Sequence, residues 1–318
     1  MDHIRDNASA MFKMIIDTDT ASDDAVALVL ALRNPAVRVE AITVVAGNVP
    51  LTQAVQNALY TVELCEANVP VYAGRHAPLL RSLETAQNVH GIDGMGDIGL
   101  SLTGRAPRAE HAVDVLVRSI DAAPGEITLV ALGPLTNVAM AILRDPEFVN
   151  KVGRCVIMGG ASDGHGNVTP IAEYNAWADP EAAKIVFESG MPITMVGWDI
   201  SRKYAVITPA DADAFRAIGT PLAQFCMDIQ GAVNAFALTE TQLAGFDLPD
   251  PIAMAAAIEP SLIRESIQCA VLVDASEGIG RGQTILDHLG MTARPRSVAA
   301  ATVADREGFM EMLRAAVR

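Results

Sequence analysis

From residue 11 to about residue 196, short runs rich in Val, Ile and Leu alternate with longer segments whose apolar residues recur every three or four positions. That alternation of periods predicts a βαβ series. Strands are expected over 11–16, 39–45, 69–72, 127–132, 155–158 and 193–196, with helices over 23–33, 51–67, 111–122, 135–143 and 180–189. The first helix is closed by Asn34-Pro35, because proline has no amide proton to continue it. The strand segments are continuously apolar rather than alternating, so both faces are buried and the sheet is mostly parallel, with helices on both faces. The expected fold class is therefore α/β with a mostly parallel central sheet. Beyond residue 208 the chain reads as mainly helical, with two late strands over 267–273 and 298–303 and a last helix over 307–317. No linker, charge block or internal repeat divides the chain, which predicts a single domain over 1–318 carrying a helical insertion at about 208–245.

Composition narrows the function. The chain has 318 residues, 51% of them apolar, and its 24 Gly and 17 Pro follow no period, which excludes collagen-like and largely disordered classes. A net charge of −15 repels phosphate backbones and acidic lipid, so neither nucleic acid nor a membrane is expected as a partner. Cys65, Cys155, Cys226 and Cys269 lie far apart in apolar runs, without zinc spacing or a disulfide ladder, and read as buried free thiols. The first residues lack the apolar core of a secretory signal, and no stretch of 18 residues is uninterruptedly apolar; a cytoplasmic location is expected.

Ligands of open α/β sheets bind beyond the carboxyl ends of the strands. The first such end carries the most chemistry: Asp17 and Asp19 share a face, and Ser22, Asp23 and Asp24 occupy the first turn of the next helix. Acids at a helix start favour its positive end by about 0.3–1 kcal/mol, which accounts for two of them. It does not account for four carboxylates within eight positions with no Lys or Arg between them and Arg33. Crowded carboxylates either raise their pKa values or bind a hard cation, and oxygen-only ligands suit Ca²⁺ or Mg²⁺.

This opening resembles that of the inosine-uridine preferring nucleoside hydrolase family, with Asp17-Thr18-Asp19 at the strand end and Asp23-Asp24 at the helix start. Further matches follow in order: Val45-Ala46-Gly47-Asn48, His90-Gly91 with Asp93-Gly94, Ala131-Leu132-Gly133-Pro134-Leu135-Thr136-Asn137, and Met158-Gly159-Gly160. Gly166-Asn167, Glu173-Tyr174-Asn175, Ala178-Asp179-Pro180-Glu181, Asp250-Pro251-Ile252-Ala253 and Arg281-Gly282-Gln283-Thr284 complete the series. The resemblance implies a Rossmann-like nucleoside hydrolase fold and a Ca²⁺-dependent enzyme that cleaves the bond between ribose and base. It implies Asp19, Asp24, Asp250 and the backbone carbonyl of Leu132 as calcium ligands, with Asp19 also the general base toward a calcium-bound water. It places Asp23, Asn48, Met158, Asn167, Glu173 and Asn175 around the sugar and His90 beside the base. It also implies a small ribonucleoside as partner and a homo-oligomer, dimer or tetramer, in purine and pyrimidine salvage.

Each assignment has a plainer counterpart. Asn48 before Pro50 and Asn167 after Gly166 suit turns, His90 suits a loop-fixing role, and Glu173 and Asn175, two apart in an extended segment, would share a face that could be surface. Thr136 and Asn137 read as helix-capping or packing residues, and His165 and His288 as structural. The chain also departs from the better-known branch, in which a histidine precedes the late metal-binding aspartate: here it is Leu248-Pro249-Asp250. Proline cannot donate a proton, so leaving-group assistance falls to His90, Tyr174, Trp198, Gln230, Asn234, Gln242 or solvent.

Two other classes compete. Asp17-Thr18-Asp19 partly imitates a haloacid-dehalogenase-like phosphatase, but that chemistry needs a lysine, and only Lys13, Lys151, Lys184 and Lys203 exist. A calcium-dependent ribose or nucleoside receptor would keep the cradle without turnover.

Overall fold

The computed structural model describes residues 11–241 and 243–318. The expectation for the extreme N-terminus and the candidacy of Gln242 lie outside the described residues.

Among the described residues eleven strands are formed: β1 (Phe12–Thr18), β2 (Val37–Val44), β3 (Val71–Ala73), β4 (Ile127–Ala131), β5 (Arg154–Met158), β6 (Ile193–Val196), β7 (Val206–Ile207), β8 (Phe246–Asp247), β9 (Ile263–Val273), β10 (Thr284–Asp287) and β11 (Val298–Ala304). The helices are α1 (Ser22–Leu32), α2 (Leu51–Leu64), α3 (Gln87–His90), α4 (Ala112–Ala122), α5 (Thr136–Arg144), α6 (Phe148–Lys151), α7 (Tyr174–Ala178), α8 (Pro180–Phe187) and α9 (Trp198–Tyr204). After these come α10 (Pro209–Arg216), α11 (Pro221–Asp228), α12 (Gly231–Phe236), α13 (Pro249–Ile258) and α14 (Arg306–Ala316). Among the described residues no helix is long and apolar enough to cross a membrane.

Nine strands form one sheet in the order β10-β9-β11-β6-β5-β4-β1-β2-β3, parallel from β11 to β3, with β9 and β10 added antiparallel at one edge. The two-residue period of a strand divides its side chains between two apolar layers. Met14 and Ile16 face the layer built with α1, α2, α13 and α14, whereas Ile15 joins Leu129, Ala131, Cys155 and Ile157 in the layer under α4, α5 and α8. Helix α1 is buried from Ser22 to Ala31, because α13 covers the side that the sheet does not.

The chain runs outward from β1 to β2 and β3, then returns to place β4 on the other flank of β1. The carboxyl ends of β1 and β4 thus flank the point where the winding reverses, the crevice in which open α/β sheets bind ligands. Strand β1 continues to Thr18, past its apolar run, because Asp17 stays in register with Ala131 and its carbonyl accepts the Leu132 N–H at 2.8 Å.

The expected α/β class stands. The third late strand, β10, lies in a Gly-rich stretch with little apolar pattern, and it forms because Ile285 and Leu286 pair with Leu272 and Val271. All four cysteines are buried and free.

Candidate active site

The polar residues following β1 do not reach solvent. Asp17, Thr18, Asp19, Thr20, Ser22 and Asp24 are all fully buried. Asp17 is anchored within the fold through one oxygen: its Oδ1 accepts from Thr43 Oγ1 at 2.6 Å and from Asn137 Nδ2 at 2.8 Å, while its Oδ2 has no hydrogen-bond partner. Asn137 also bonds the Val44 carbonyl and the Arg75 N–H, and Thr136 Oγ1 donates to Asp179 at 2.6 Å, so both are packing residues, as the sequence suggested. Asp24 does serve the helix start, accepting from the Ala21 N–H at 3.0 Å and from Thr18 Oγ1 at 2.5 Å.

Asp19 is held differently. The Asn48 N–H donates to its Oδ2 at 2.6 Å, while Oδ1 has no hydrogen-bond partner. Its carboxylate lies between Gly47 and Gly133: a Cβ on Gly47 would lie 2.1 Å from Oδ2, and one on Gly133 would lie 2.7 Å from Oδ1. The two glycines in these motifs leave room for the acid.

Asp250, in the first turn of α13, approaches from the far side of the chain. Oxygens of Asp23, Asp24 and Asp250 all fall within 4.8 Å of one another, and Asp19 lies close enough to raise the pKa of Asp250. Asp23 Oδ1, like Asp19 Oδ1, lacks a hydrogen-bond partner. Buried, oxygen-only and orphaned carboxylates are a donor set that fits a hard divalent cation.

A cavity of about 330 Å³ opens above these acids, at the lower end of the range for small-molecule sites. Asp23, Asn48, His90, Leu132, Met158, Asn167, Glu173, Asn175 and Asp250 all line it. Asp19 and Asp24, fully buried, are not among its lining residues. Glu173 and Asn175 come together for a reason other than the extended segment expected: Glu173 is the N-cap of α7, accepting from the backbone N–H groups of Asn175, Ala176 and Gly160. Asn175 Nδ2 donates to the Leu132 carbonyl at 2.7 Å and contacts Met158 Sδ at 3.3 Å, and Asn167 Oδ1 accepts the Tyr174 N–H. Trp177, Trp198, Tyr174 and Phe236 also line the cavity. Arg281 braces it from behind, stacked 3.8 Å over Trp177 and bonded to the Trp177 carbonyl.

Two candidates for assisting the leaving group are otherwise engaged. Gln230 is fully buried with both amide atoms on Ser22, and the Tyr174 hydroxyl donates to the Glu84 carbonyl. Asn234 is not among the residues lining the cavity, and His165 and His288 are exposed. Sequence reasoning missed Asp247, a buried, cavity-lining carboxylate 2.6 Å from Ser201 Oγ. The only trace it leaves is its place three residues before Asp250, which no motif marks.

Burial without a counterion sets the electrostatics. Desolvation pushes Asp17 and Glu173 up to about 7 and Asp23 and Asp24 up to about 6; Asp19 and Asp250 are also raised well above the ordinary carboxyl value, by burial and then by neighbouring carboxylates. Burial lowers His90 to about 4, so the ring is neutral at pH 7. Among the described residues no Lys or Arg lines the cavity, and all four lysines pair with acids elsewhere.

Residues 14–311 match the family described as inosine-uridine preferring nucleoside hydrolase. The chain is 36% identical over 307 residues to the pyrimidine-specific ribonucleoside hydrolase RihB of Escherichia coli, covering 96% of this chain and 97% of the relative. The solved plant nucleoside hydrolase PpNRh1 superimposes with a TM-score of 0.91 at 35% identity, over 96% of this chain and 99% of that one. The purine-preferring ribonucleoside hydrolase from Gardnerella vaginalis does so with a TM-score of 0.89 at 33% identity, over 96% and 98%. The chain belongs to the inosine-uridine preferring nucleoside hydrolase family and is a hydrolase of N-glycosyl bonds.

Proposed function

We propose that the protein hydrolyses the N-glycosidic bond of ribonucleosides to ribose and free base, with calcium as its metal and Asp19 as general base. One observation carries this reading: the buried carboxylates of Asp23, Asp24 and Asp250 meet beside a nucleoside-sized cavity, Asp23 and nearby Asp19 each keep an oxygen without a hydrogen-bond partner, and among the described residues no cationic side chain lines the cavity. Asp19, Asp24, Asp250 and the carbonyl of Leu132 would hold the ion; the Leu132 carbonyl accepts one bond from Asn175 and keeps a second lone pair. When bound, calcium supplies positive charge that acidifies the attacking water and orients the ribose diol.

Asp19 takes the proton of that water at Oδ1, while the Asn48 N–H keeps the carboxylate aimed through Oδ2. Cleavage proceeds through an oxocarbenium-like sugar, and the carboxylates of Asp23 and Glu173 with the amide oxygens of Asn48, Asn167 and Asn175 stabilise the positive charge growing on it. The aromatic lining residues receive the base, which, since Pro249 offers no proton, takes its proton from solvent as it leaves. The relatives differ in preference, one pyrimidine-specific and one purine-preferring, so their names do not choose the base. Four buried free thiols support a reducing, cytoplasmic setting.

The alternatives find less support. A phosphatase would need a cation in the cavity, and a receptor would need no general base. The test is to incubate the purified protein with a panel of ribonucleosides, with and without a calcium chelator, and to measure free ribose. Metal-dependent release, abolished in Asp19→Ala, is expected; release that persists under chelation or in Asp19→Ala overturns the assignment.

A further inference from the structure

Ser22 lies at the start of α1 and Gln230 in the segment between α11 and α12, 208 positions apart, yet their polar atoms interlock. Gln230 lies within 2.8 Å of the Ser22 carbonyl, which can only accept, so the atom placed there is the amide nitrogen. The amide oxygen therefore faces Ser22 Oγ at 3.1 Å, and because that oxygen can only accept, the single hydroxyl proton of Ser22 goes to it. Ser22 Oγ then has only lone pairs left for its other neighbour, His90 Nδ1, 3.0 Å away. Nδ1 must carry the proton. The nearest other acceptor for that proton, Asp23 Oδ1, stands at 3.7 Å, beyond hydrogen-bond range.

We infer that Gln230 and Ser22 form a relay that locks His90 as the Nδ1–H tautomer, so that its Nε2 lone pair accepts a hydrogen bond from the nucleoside in the cavity instead of protonating the departing base. His90 lines the cavity, is buried, and among the described residues has no other hydrogen-bond partner for its ring. The geometry selects substrates that present an N–H or O–H donor to the ring. It makes Gln230 and Ser22 positioning residues that act through His90. That part of the inference rests on the nucleoside reading of the cavity, whereas the tautomer itself does not.

The primary test is nitrogen-15 NMR of the imidazoles in the metal-loaded protein above pH 7.5, where an ordinary histidine is already neutral. The relay predicts a protonated Nδ1 and a bare Nε2 for His90, reverting in Ser22→Ala toward the Nε2–H form that histidine prefers in water. An Nε2–H form in the unmutated protein, or a tautomer unchanged in Ser22→Ala, overturns it. Kinetics then test the consequence: Gln230→Leu and Ser22→Ala should each lower kcat/KM by about tenfold, the scale of one well-made hydrogen bond. Neither should cause further loss when added to His90→Ala; additive losses overturn the claim that they act through the ring. If the unmutated enzyme cleaves no nucleoside, the proposed function fails while the NMR result still decides the relay.

Discussion

Gly47→Ala is the sharpest test of how the fold aims its general base. The new Cβ would sit 2.1 Å from Asp19 Oδ2, 2.7 Å from Pro134 Cδ and 2.8 Å from Asp19 Cγ. Real Cβ atoms essentially never come within 3.0 Å of a non-bonded heavy atom elsewhere in the chain, so the Asp19 carboxylate must retreat by about 0.9 Å from the methyl group. The ring of Pro134 blocks an escape of the backbone on its side. The retreat breaks the 2.6 Å bond from the Asn48 N–H, the contact that fixes the carboxylate. A misplacement near 1 Å costs about 100-fold in rate, or about 2.7 kcal/mol of transition-state stabilisation. The assay is steady-state release of free ribose at saturating calcium, with Gly231→Ala as control, since a Cβ there meets nothing within 4 Å. The account expects kcat/KM to fall about 100-fold in the first variant and to stay level in the second. Activity of Gly47→Ala within a small factor of the parent would refute the claim that Asp19 needs this geometry.

Two further outcomes follow from burial. Asp17, Asp23, Asp24 and Glu173 are raised by desolvation to about 6–7, so in metal-free protein their neutral forms favour the fold; that contribution is complete below the ordinary carboxyl range near pH 4 and is lost as pH rises through 6–7. Thermal melts under chelation should therefore show Tm falling from pH 5 to pH 7.5 and calcium restoring it at pH 7.5; a Tm that rises over that interval without metal would contradict the assignment. Asn137→Ala should destabilise by about 2–4 kcal/mol in urea unfolding, because it strips partners from Asp17, the Val44 carbonyl and the Arg75 N–H together. A loss under about 0.5 kcal/mol, the size of an ordinary surface change, would show that these groups find other partners.

Much of the fold was legible because its signals are local. Continuously apolar strands and Asn34-Pro35 are written in a few adjacent residues, and β1, β2, β4, β5 and β6 form close to where the pattern puts them. The β10 edge was not legible: Thr284–Asp287 has no alternation of its own and becomes a strand only by pairing with β9. Within the candidate site, the acids after β1 stood out by density, but what each does is set by distant partners. Asp17 is absorbed by Thr43 and Asn137, and Glu173 reaches the cavity as a helix cap rather than along an extended segment. Asp247 and the Ser22–Gln230 link carry no local mark, since each depends on segments brought together only by the folded chain.

Titration calorimetry of chelator-stripped protein with calcium addresses the central claim most directly. The account predicts one ion bound per chain in the parent and binding weakened beyond detection in Asp250→Ala, whose carboxylate completes the trio with Asp23 and Asp24. Absence of calcium binding in the parent, or equal affinity in the variant, would contradict it.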